Sequence, residues 1–465
     1  MAAASAPATT LRLAAFAGGP AAAAVAGVAC HSAGLPAPAC WTAVVTAWCA
    51  VWWVLEPIPI PATSLIPFVA FPLLGVLDHK KVATAYGHTL ILLLLGGFLV
   101  STALEKSGAH RRLALGMVRL VGGHSHKRLV LGFMLATTLA SMWISNTAAT
   151  LMMLPVAMAL IEGDESEGLG APLLLGIAYA ASIGGLGTPI GTPPNVIFMG
   201  VYRETTHQDV SFLDWMRIGV PATFVLMPIA WWVVTRKLHA KSELVLPRVG
   251  PWRSAERRVL VVFALTALAW ITRTEPFGGW SGLLSTPGAS DSTVALGAAL
   301  LLFLVPDGEG GALLDWPTAK KIPWGLLLLF AGGIAIARAF EESGLSKALG
   351  NTLSGLAGLP LPITVLGVCL AVTFLTEVTS NTATATLLMP VLSAAALGAR
   401  MDPKQLMIPA ALSASCAFML PVATAPNAIV FGTERVTTRQ MARHGFAINL
   451  MGAVAITVVC VVMLR

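Results

Sequence analysis

Two short polar clusters carry the residue types from which ion chemistry could be built. They are Ser145-Asn146-Thr147 and, 235 residues later, Ser380-Asn381-Thr382. Each supplies neutral hydroxyl and amide oxygens that suit a hard cation, and O–H and N–H groups that suit an anion. A second pair, Thr188 to Asn195 (Thr-Pro-Ile-Gly-Thr-Pro-Pro-Asn) and Pro421 to Asn427 (Pro-Val-Ala-Thr-Ala-Pro-Asn), lies inside apolar runs. Proline removes an N–H and disfavours helix in the residue before it, so both runs should be broken there. A broken helix offers free N–H groups to an anion at one end and free carbonyls to a cation at the other. No Lys or Arg lies in either tip or either break. An anion would therefore be held by Asn and Thr side chains, helix dipoles and a co-bound cation, with sodium the fitting choice. The one carboxylate near a tip is Glu377, where the first cluster has Met142. That mismatch favours a structural hydrogen-bonding role over proton carriage.

The elements that hold these clusters must sit in lipid. Hydrophobic residues make up 56% of the 465, charged residues 11%, and the mean hydropathy is +0.79. A water-soluble globule would expose too much apolar surface at that composition. The chain reads as an all-α polytopic protein of the plasma (inner) membrane, with the bilayer as its solvent. Its net charge of +7 comes from basic residues in short loops, which speaks for membrane orientation rather than a nucleic-acid partner. Cys30, Cys40, Cys49, Cys369, Cys416 and Cys460 show no metal-ligand spacing and read as reduced packing residues.

At about 20 apolar residues per crossing, about 11 transmembrane helices are expected. They fall at residues 13–33, 40–54, 58–77, 89–105, 171–202, 214–236, 257–272, 293–306, 323–340, 406–432 and 446–464. The first resembles a signal peptide, with Arg12 ahead of Ala21 to Ala29, but the topology requires it as a retained span. The arms around the two polar clusters, of about 12 to 16 residues or roughly 18 to 24 Å as helix, are too short for a core of about 30 Å. They are expected to form two re-entrant hairpins, 127–162 and 361–398, whose tips face a cavity. Basic clusters at Lys106, Arg111, Arg112, Arg119, Lys127 and Arg128 and at Arg236, Lys237, Lys241, Arg248, Arg253, Arg257 and Arg258 should be cytoplasmic. That puts the N-terminus in the cytoplasm and the C-terminus outside. Residues 109–121 should lie as a helix at the cytoplasmic interface, with basic side chains facing water or headgroups.

The chain also repeats itself. Leu92 to Gly97 returns as Leu326 to Gly333, and Glu105 to Gly108 as Glu341 to Gly344. The two polar clusters and the two breaks follow in the same order, all at offsets of about 232 to 236 residues. An odd number of crossings separates the copies, so the second is inverted. Inverted repeats with broken polar elements at mid-membrane are the plan of secondary transporters, with the site at the repeat interface. The expected division is 1–88 and 214–322 as scaffold helices, the latter with a cytoplasmic linker. Residues 89–213 form the first repeat core, with broken span 171–202, and 323–445 the second, with broken span 406–432. A C-terminal helix, 446–465, completes the chain.

The paired clusters, the two breaks and Glu56 to Thr63 (Glu-Pro-Ile-Pro-Ile-Pro-Ala-Thr) resemble the divalent anion:sodium symporter family of dicarboxylate and citrate carriers. The resemblance spans nearly the whole chain and is weakest in residues 1–35 and 238–256. It implies a homodimer in which a scaffold holds its position while the hairpins and broken spans move as an elevator. It further implies a first sodium site at Ser141, Ser145, Asn146 and the Gly191 backbone, and a second at Thr376, Thr379, Asn381 and the Ala423 backbone. The dicarboxylate would lie between Asn146, Thr147 and Thr192 on one side and Asn381, Thr382 and Thr424 on the other. Ala425 departs from a second proline found in many members, and Thr192 from a serine found in some.

The expected function is sodium-coupled symport of a C4-dicarboxylate such as succinate, with no organic cofactor. A citrate, sulfate or phosphate carrier or a sodium-independent dicarboxylate exchanger is the nearest alternative, and a channel or membrane-embedded enzyme a remote one. An enzyme would need a nucleophile, base or metal cluster at membrane depth. His88, Glu377 and Cys416 show no evident partners in the sequence. His88 reads as an interfacial histidine, and His124 and His126 beside Lys127 as solvated loop residues.

Overall fold

The computed structural model describes residues 6–121, 125–162, 168–238, 250–352 and 359–464. Among them the elements are helices, with one isolated bridge, Pro306 to Ala312, and no strand. The first stretch holds α1 (Ala6–Ser32), α2 (Ala37–Leu55), α3 (Ile60–Thr63), α4 (Ile66–Leu73), α5 (His79–Tyr86), α6 (Thr89–Ser107) and α7 (Ala109–Val121). Next come α8 (His126–Ser141), α9 (Asn146–Glu162), α10 (Gly170–Gly184), α11 (Pro193–Thr206) and α12 (Phe212–Thr235). Then follow α13 (Ser254–Ile271), α14 (Gly279–Leu283), α15 (Asp291–Leu304), α16 (Trp316–Ala319), α17 (Trp324–Glu342) and α18 (Leu345–Thr352). The chain closes with α19 (Leu361–Thr376), α20 (Asn381–Gly398), α21 (Lys404–Ala414), α22 (Ala425–Phe431) and α23 (Thr438–Met463).

Among the described residues, eight helical stretches are long and apolar enough to cross a membrane, and several sequence expectations change accordingly. The span expected at 58–77 is two short helices, α3 and α4. Pro59, Pro61, Pro67 and Pro72 cannot all donate to one continuous ladder. The final helix begins at Thr438 rather than 446, because Thr437 and Gln440 cap each other's backbone and start it a turn and more earlier. The first arm of each expected hairpin, at 16 residues, falls within the expected length, and the second is slightly longer, at 17 and 18 residues. By length and composition α20 could itself cross. Polar residues do not end these helices as the hydropathy suggests: Asn146 and Asn381 are the first residues of α9 and α20.

The middle of the molecule is α10, whose residues from Leu173 to Gly184 are all buried. It packs on α8, α9, α12 and α22, while α21 packs on α19, α20, α23 and α11. Close approach is enforced by glycine: a Cβ at Gly184 would lie 2.4 Å from the Thr138 carbonyl of α8. The two broken segments, α10–α11 and α21–α22, thus run through the core, each flanked by a helix–turn–helix pair.

Around this centre α6 packs on α15, and α17 on α5 and α11. Two of the ion pairs that join the halves of the chain stand at the ends of α6 and α17. Lys106, at the end of α6, lies 2.6 Å from Asp315 ahead of α16. Glu342, at the end of α17, pairs with Lys81 on α5. Lys106 and Glu342 stand at corresponding places in the two sequence repeats, with opposite charge.

The amphipathic helix expected at 109–121 is α7, but its basic face does more than meet water. Arg112 holds Glu256 of α13 at 3.0 Å, donates to the carbonyls of Gly250 and Pro251, and lies over the Trp252 ring. His126 is buried at the start of α8, not solvated, and His124 lies outside the described residues. All six cysteines are free, four of them buried.

Candidate functional site

The turns at Met142 to Ser145 and Glu377 to Ser380 meet the two breaks around one cavity of about 780 Å³. Its wall includes Ser145, Asn146, Thr147, Gly191 and Thr192 from the first half. From the second half come Thr379, Asn381, Thr382, Ala423 and Thr424. Ser141 and Thr376 are fully buried and sit behind the two asparagines. Every expected sodium or anion ligand is therefore on or directly behind one wall. The breaks also touch each other, with the Thr192 hydroxyl 3.4 Å from that of Ser415.

The two halves repeat a specific oxygen cluster. Ser141 Oγ lies 2.7 Å from both Asn146 Oδ1 and the Ala181 carbonyl. Thr376 Oγ1 lies 2.7 Å from Asn381 Oδ1 and 2.8 Å from the Ala414 carbonyl. A hydroxyl has one proton, so each trio of oxygens shares a single hydrogen between two acceptors. Such oxygen-rich, proton-poor spots are electrostatically suited to a small hard cation. Next to the first trio, an added Cβ at Gly185 would lie 2.8 Å from Asn146 Oδ1 and 3.1 Å from the Gly191 carbonyl. Those two acceptors thus face the same backbone.

Two of the expected groups are more engaged than the sequence implied. The Thr379 hydroxyl donates to the Leu375 carbonyl of α19 and meets the Thr384 hydroxyl of α20. Ser145 Oγ accepts the Ala148 N–H at 3.2 Å, capping the first turn of α9.

Glu377 is the main asymmetry. Its carboxylate accepts the backbone N–H groups of Phe418 (2.7 Å), Met419 (2.9 Å) and Leu420 (3.1 Å), and the side-chain amide of Asn449 on α23 (2.7 Å). These are donors that the non-helical stretch between α21 and α22 would otherwise leave unpaired. In the first half the Thr188 hydroxyl instead donates to the Met142 carbonyl. Sequence reasoning anticipated the hydrogen-bonding role of Glu377 but not Asn449, which lies 72 residues away in the chain.

The cavity rim carries charges the sequence did not single out: Glu56, Glu105 and Lys321. A second ionic group lies at the opposite ends of α6 and α17. Arg338 of α17 makes two bonds to Glu204 of α11, and His88 Nε2 stands 3.5 Å from the same carboxylate. His88 is therefore buried beside an acid rather than alone at an interface, and its Nδ1 accepts the Leu90 N–H. No spacing rule brings residues 88, 204 and 338 together, since only the packing of α6, α11 and α17 does so.

Comparison with known proteins adds an independent line. A family model described as citrate transporter matches residues 50–403. The chain is 41% identical over 440 residues to the sodium-dependent dicarboxylate transporter SdcS of Staphylococcus saprophyticus, covering 89% of this chain and 84% of the relative. It is 39% identical over 454 residues to the protein of the same name from Staphylococcus aureus, covering 92% and 86%. Among solved structures, the Alcanivorax borkumensis YdaH transporter superposes with a TM-score of 0.62 at 15% identity, covering 91% of this chain and 98% of that one. Neisseria gonorrhoeae MtrF superposes with a TM-score of 0.56 at 14% identity, covering 92% and 95%. These two likenesses bear on the fold alone.

Proposed function

The chain belongs to the citrate transporter family, and from there we propose that it is a secondary carrier taking up a C4-dicarboxylate such as succinate together with sodium. The observation that carries the reading is the duplicated oxygen trio, Ser141 with Asn146 and Thr376 with Asn381, opening on a single cavity. Sodium would be held at Ser141, Ser145, Asn146 and the Gly191 carbonyl, and at Thr376, Thr379, Asn381 and the Ala423 carbonyl. The anion would lie between Asn146, Thr147 and Thr192 and their counterparts Asn381, Thr382 and Thr424. With no Lys or Arg among those six residues, the cations supply the attraction. A unit positive charge about 4 Å from a carboxylate is worth about 4 kcal/mol at an effective dielectric of about 20. Binding sodium first would thereby make entry of a doubly charged anion favourable, which is coupling.

Transport would proceed by alternating access between two inverted repeats, without covalent chemistry. The helix pairs α8–α9 and α19–α20 act as re-entrant hairpins, and with the two broken segments they move as one unit against a scaffold formed by residues 1–88 and 214–322. Such a scaffold would pair with that of a second copy as a homodimer. With the basic loops in the cytoplasm, the N-terminus inside and the C-terminus outside, the rim at Glu105 and Lys321 is cytoplasmic.

The deciding experiment is uptake of labelled succinate into proteoliposomes with and without an inward sodium gradient, with citrate and sulfate as competitors. Sodium-driven uptake blocked by unlabelled succinate is the expected result. Uptake indifferent to sodium would overturn symport in favour of exchange, and stronger competition by citrate or sulfate would reassign the anion.

A further inference from the structure

Outside the expected ligands, one structural device occurs twice. Asn195 is the third residue of α11 and Asn427 the third of α22, and both are fully buried. The Asn195 amide donates backwards across the break to the carbonyls of Gly185 (2.9 Å) and Thr188 (2.8 Å). The Asn427 amide does the same to Ala417 (3.1 Å) and Leu420 (3.0 Å). In both halves the acceptors lie 10 and 7 residues upstream of the asparagine.

The nearer acceptor in each half is already in use. The Thr188 carbonyl also takes the backbone N–H of Gly191 (3.3 Å), and the Leu420 carbonyl that of Ala423 (3.2 Å). These bonds are long and close the tight turns that present Gly191 and Ala423. The farther acceptor in the first half is the Gly185 carbonyl, and an added Cβ at Gly191 would lie 2.5 Å from that atom. One carboxamide thus grips both carbonyls against which Gly191 is set. In each half the amide oxygen of the same asparagine is buried without a partner. An unpaired buried acceptor is costly, and bearing that cost twice singles out the N–H groups as what the fold uses.

We propose that Asn195 and Asn427 are the positioning residues of the two breaks, tying the non-helical stretch of each break to the helix that follows it and so aiming the Gly191 and Ala423 carbonyls at their cations. The proposal rests on the reading of those two carbonyls as sodium ligands. The halves are not equally dependent on the staple. Leu420 and its neighbours Phe418 and Met419 are also held through their N–H groups by Glu377, whereas beside the amide and the Gly191 N–H Thr188 has one further bond, from its hydroxyl to Met142.

The test uses the full chain in proteoliposomes with Asn195→Asp and Asn427→Asp, which keep the shape but turn an oxygen toward two carbonyls. The readouts are the sodium concentration for half-maximal succinate uptake, the succinate KM at saturating sodium, and thermal stability without sodium. Loss of one or two hydrogen bonds should raise the sodium requirement about three- to tenfold, more in Asn195→Asp than in Asn427→Asp. The succinate KM at saturating sodium should change by less than about twofold. A purely structural role would instead lower stability and maximal rate with the sodium requirement unmoved, and that result in both variants overturns the proposal. Should either Asp variant fail to accumulate, the serine substitution at the same position, which keeps one donor, carries the same comparison. Ser141→Ala and Thr376→Ala separate the two levels of inference. If they too leave the sodium requirement unchanged, the ligand assignment itself fails. If they shift it and the asparagine variants do not, only the staple fails.

Discussion

Arg338 closes on Glu204 as a fork, with Nε 2.8 Å from one carboxylate oxygen and Nη2 2.9 Å from the other, and both side chains are largely buried. The bond joins α17 to α11, at the ends of these helices away from the cavity rim. At the corresponding places in the sequence repeats stand Thr102, on the cavity wall, and Val436. No ionic fork can form between those two. A rearrangement that exchanged the roles of the repeats would break the fork and put no equal bond in its place.

If α11 moves against α17 during transport, Arg338→Met should therefore disfavour the state with the rim open. Removing one partner of a buried pair costs about 3–5 kcal/mol, and even a fraction of that changes state populations several-fold. The measure is maleimide labelling of Val422→Cys, an exposed cavity position, on a background without native cysteines. Labelling from the cytoplasmic side should slow relative to the protein with Arg338 intact. Equal rates would mean the fork is indifferent to state.

Asn146→Ala and Asn381→Ala each delete the amide oxygen from one trio and a polar group from the anion side of the wall. Both are expected to lose most sodium-driven uptake, with losses of about tenfold or more per variant if each cation contact is worth about 1.5–3 kcal/mol. Normal transport by both would show that the tips are structural. Flux measurements at several sodium concentrations make the distinction.

Glu377→Leu leaves three backbone N–H groups and the Asn449 amide without their acceptor. Each unsatisfied buried donor costs about 1–3 kcal/mol, so the variant should melt well below the native protein in detergent and fail to transport. Met142→Leu, at the matching place in the first half, is a volume-conserving swap costing less than about 1.5 kcal/mol. Similar melting curves for the two substitutions would contradict the clasp described for Glu377.

Two carboxylates outside the membrane spans should make stability depend on acid. The Lys106 ammonium and the Thr318 groups hold Asp315 down to about 2. Burial alone would raise Glu256, but the Arg253 N–H and the Arg112 guanidinium outweigh it and leave the group below its ordinary value. For a lowered carboxylate the stabilisation is complete above the unfolded pKa and fades as pH falls through the folded one. The melting-temperature penalty of Asp315→Asn should thus be constant from pH 7 to about pH 4. It should shrink between about pH 4 and pH 2. Glu256→Gln should behave alike, and a penalty unchanged by acid would show that these charges contribute nothing to stability.

What the sequence made legible was what repeats locally. Asn146 and Asn381, or Gly191 and Ala423, are recognisable because each sits among the same few neighbours in both copies, and the structure sets them around one cavity. Long-range partners were not legible. Asn449 reaches Glu377, and Arg338 reaches Glu204, only through helix packing that leaves no periodic trace. The span expected at 58–77 failed because hydropathy averages over a window and takes no account of the donors its prolines lack. The second arm of each pair came out too short for a related reason. Hydropathy stops at a polar residue, whereas Asn146 and Asn381 open their helices. Asn195 and Asn427 were visible as members of a motif, but their double bonds across the break are a property of three dimensions.

The opposite charges of Lys106 and Glu342 bear on how the two halves of the chain can change. A chain assembled from two copies of its own first half would set lysine against lysine at the Lys81 junction, and one from two second halves would set acid against acid at the Asp315 junction. Neither half can stand in for the other. The two are an obligate partnership of unlike parts, and a change at any of these four positions is answerable to a residue in the opposite half.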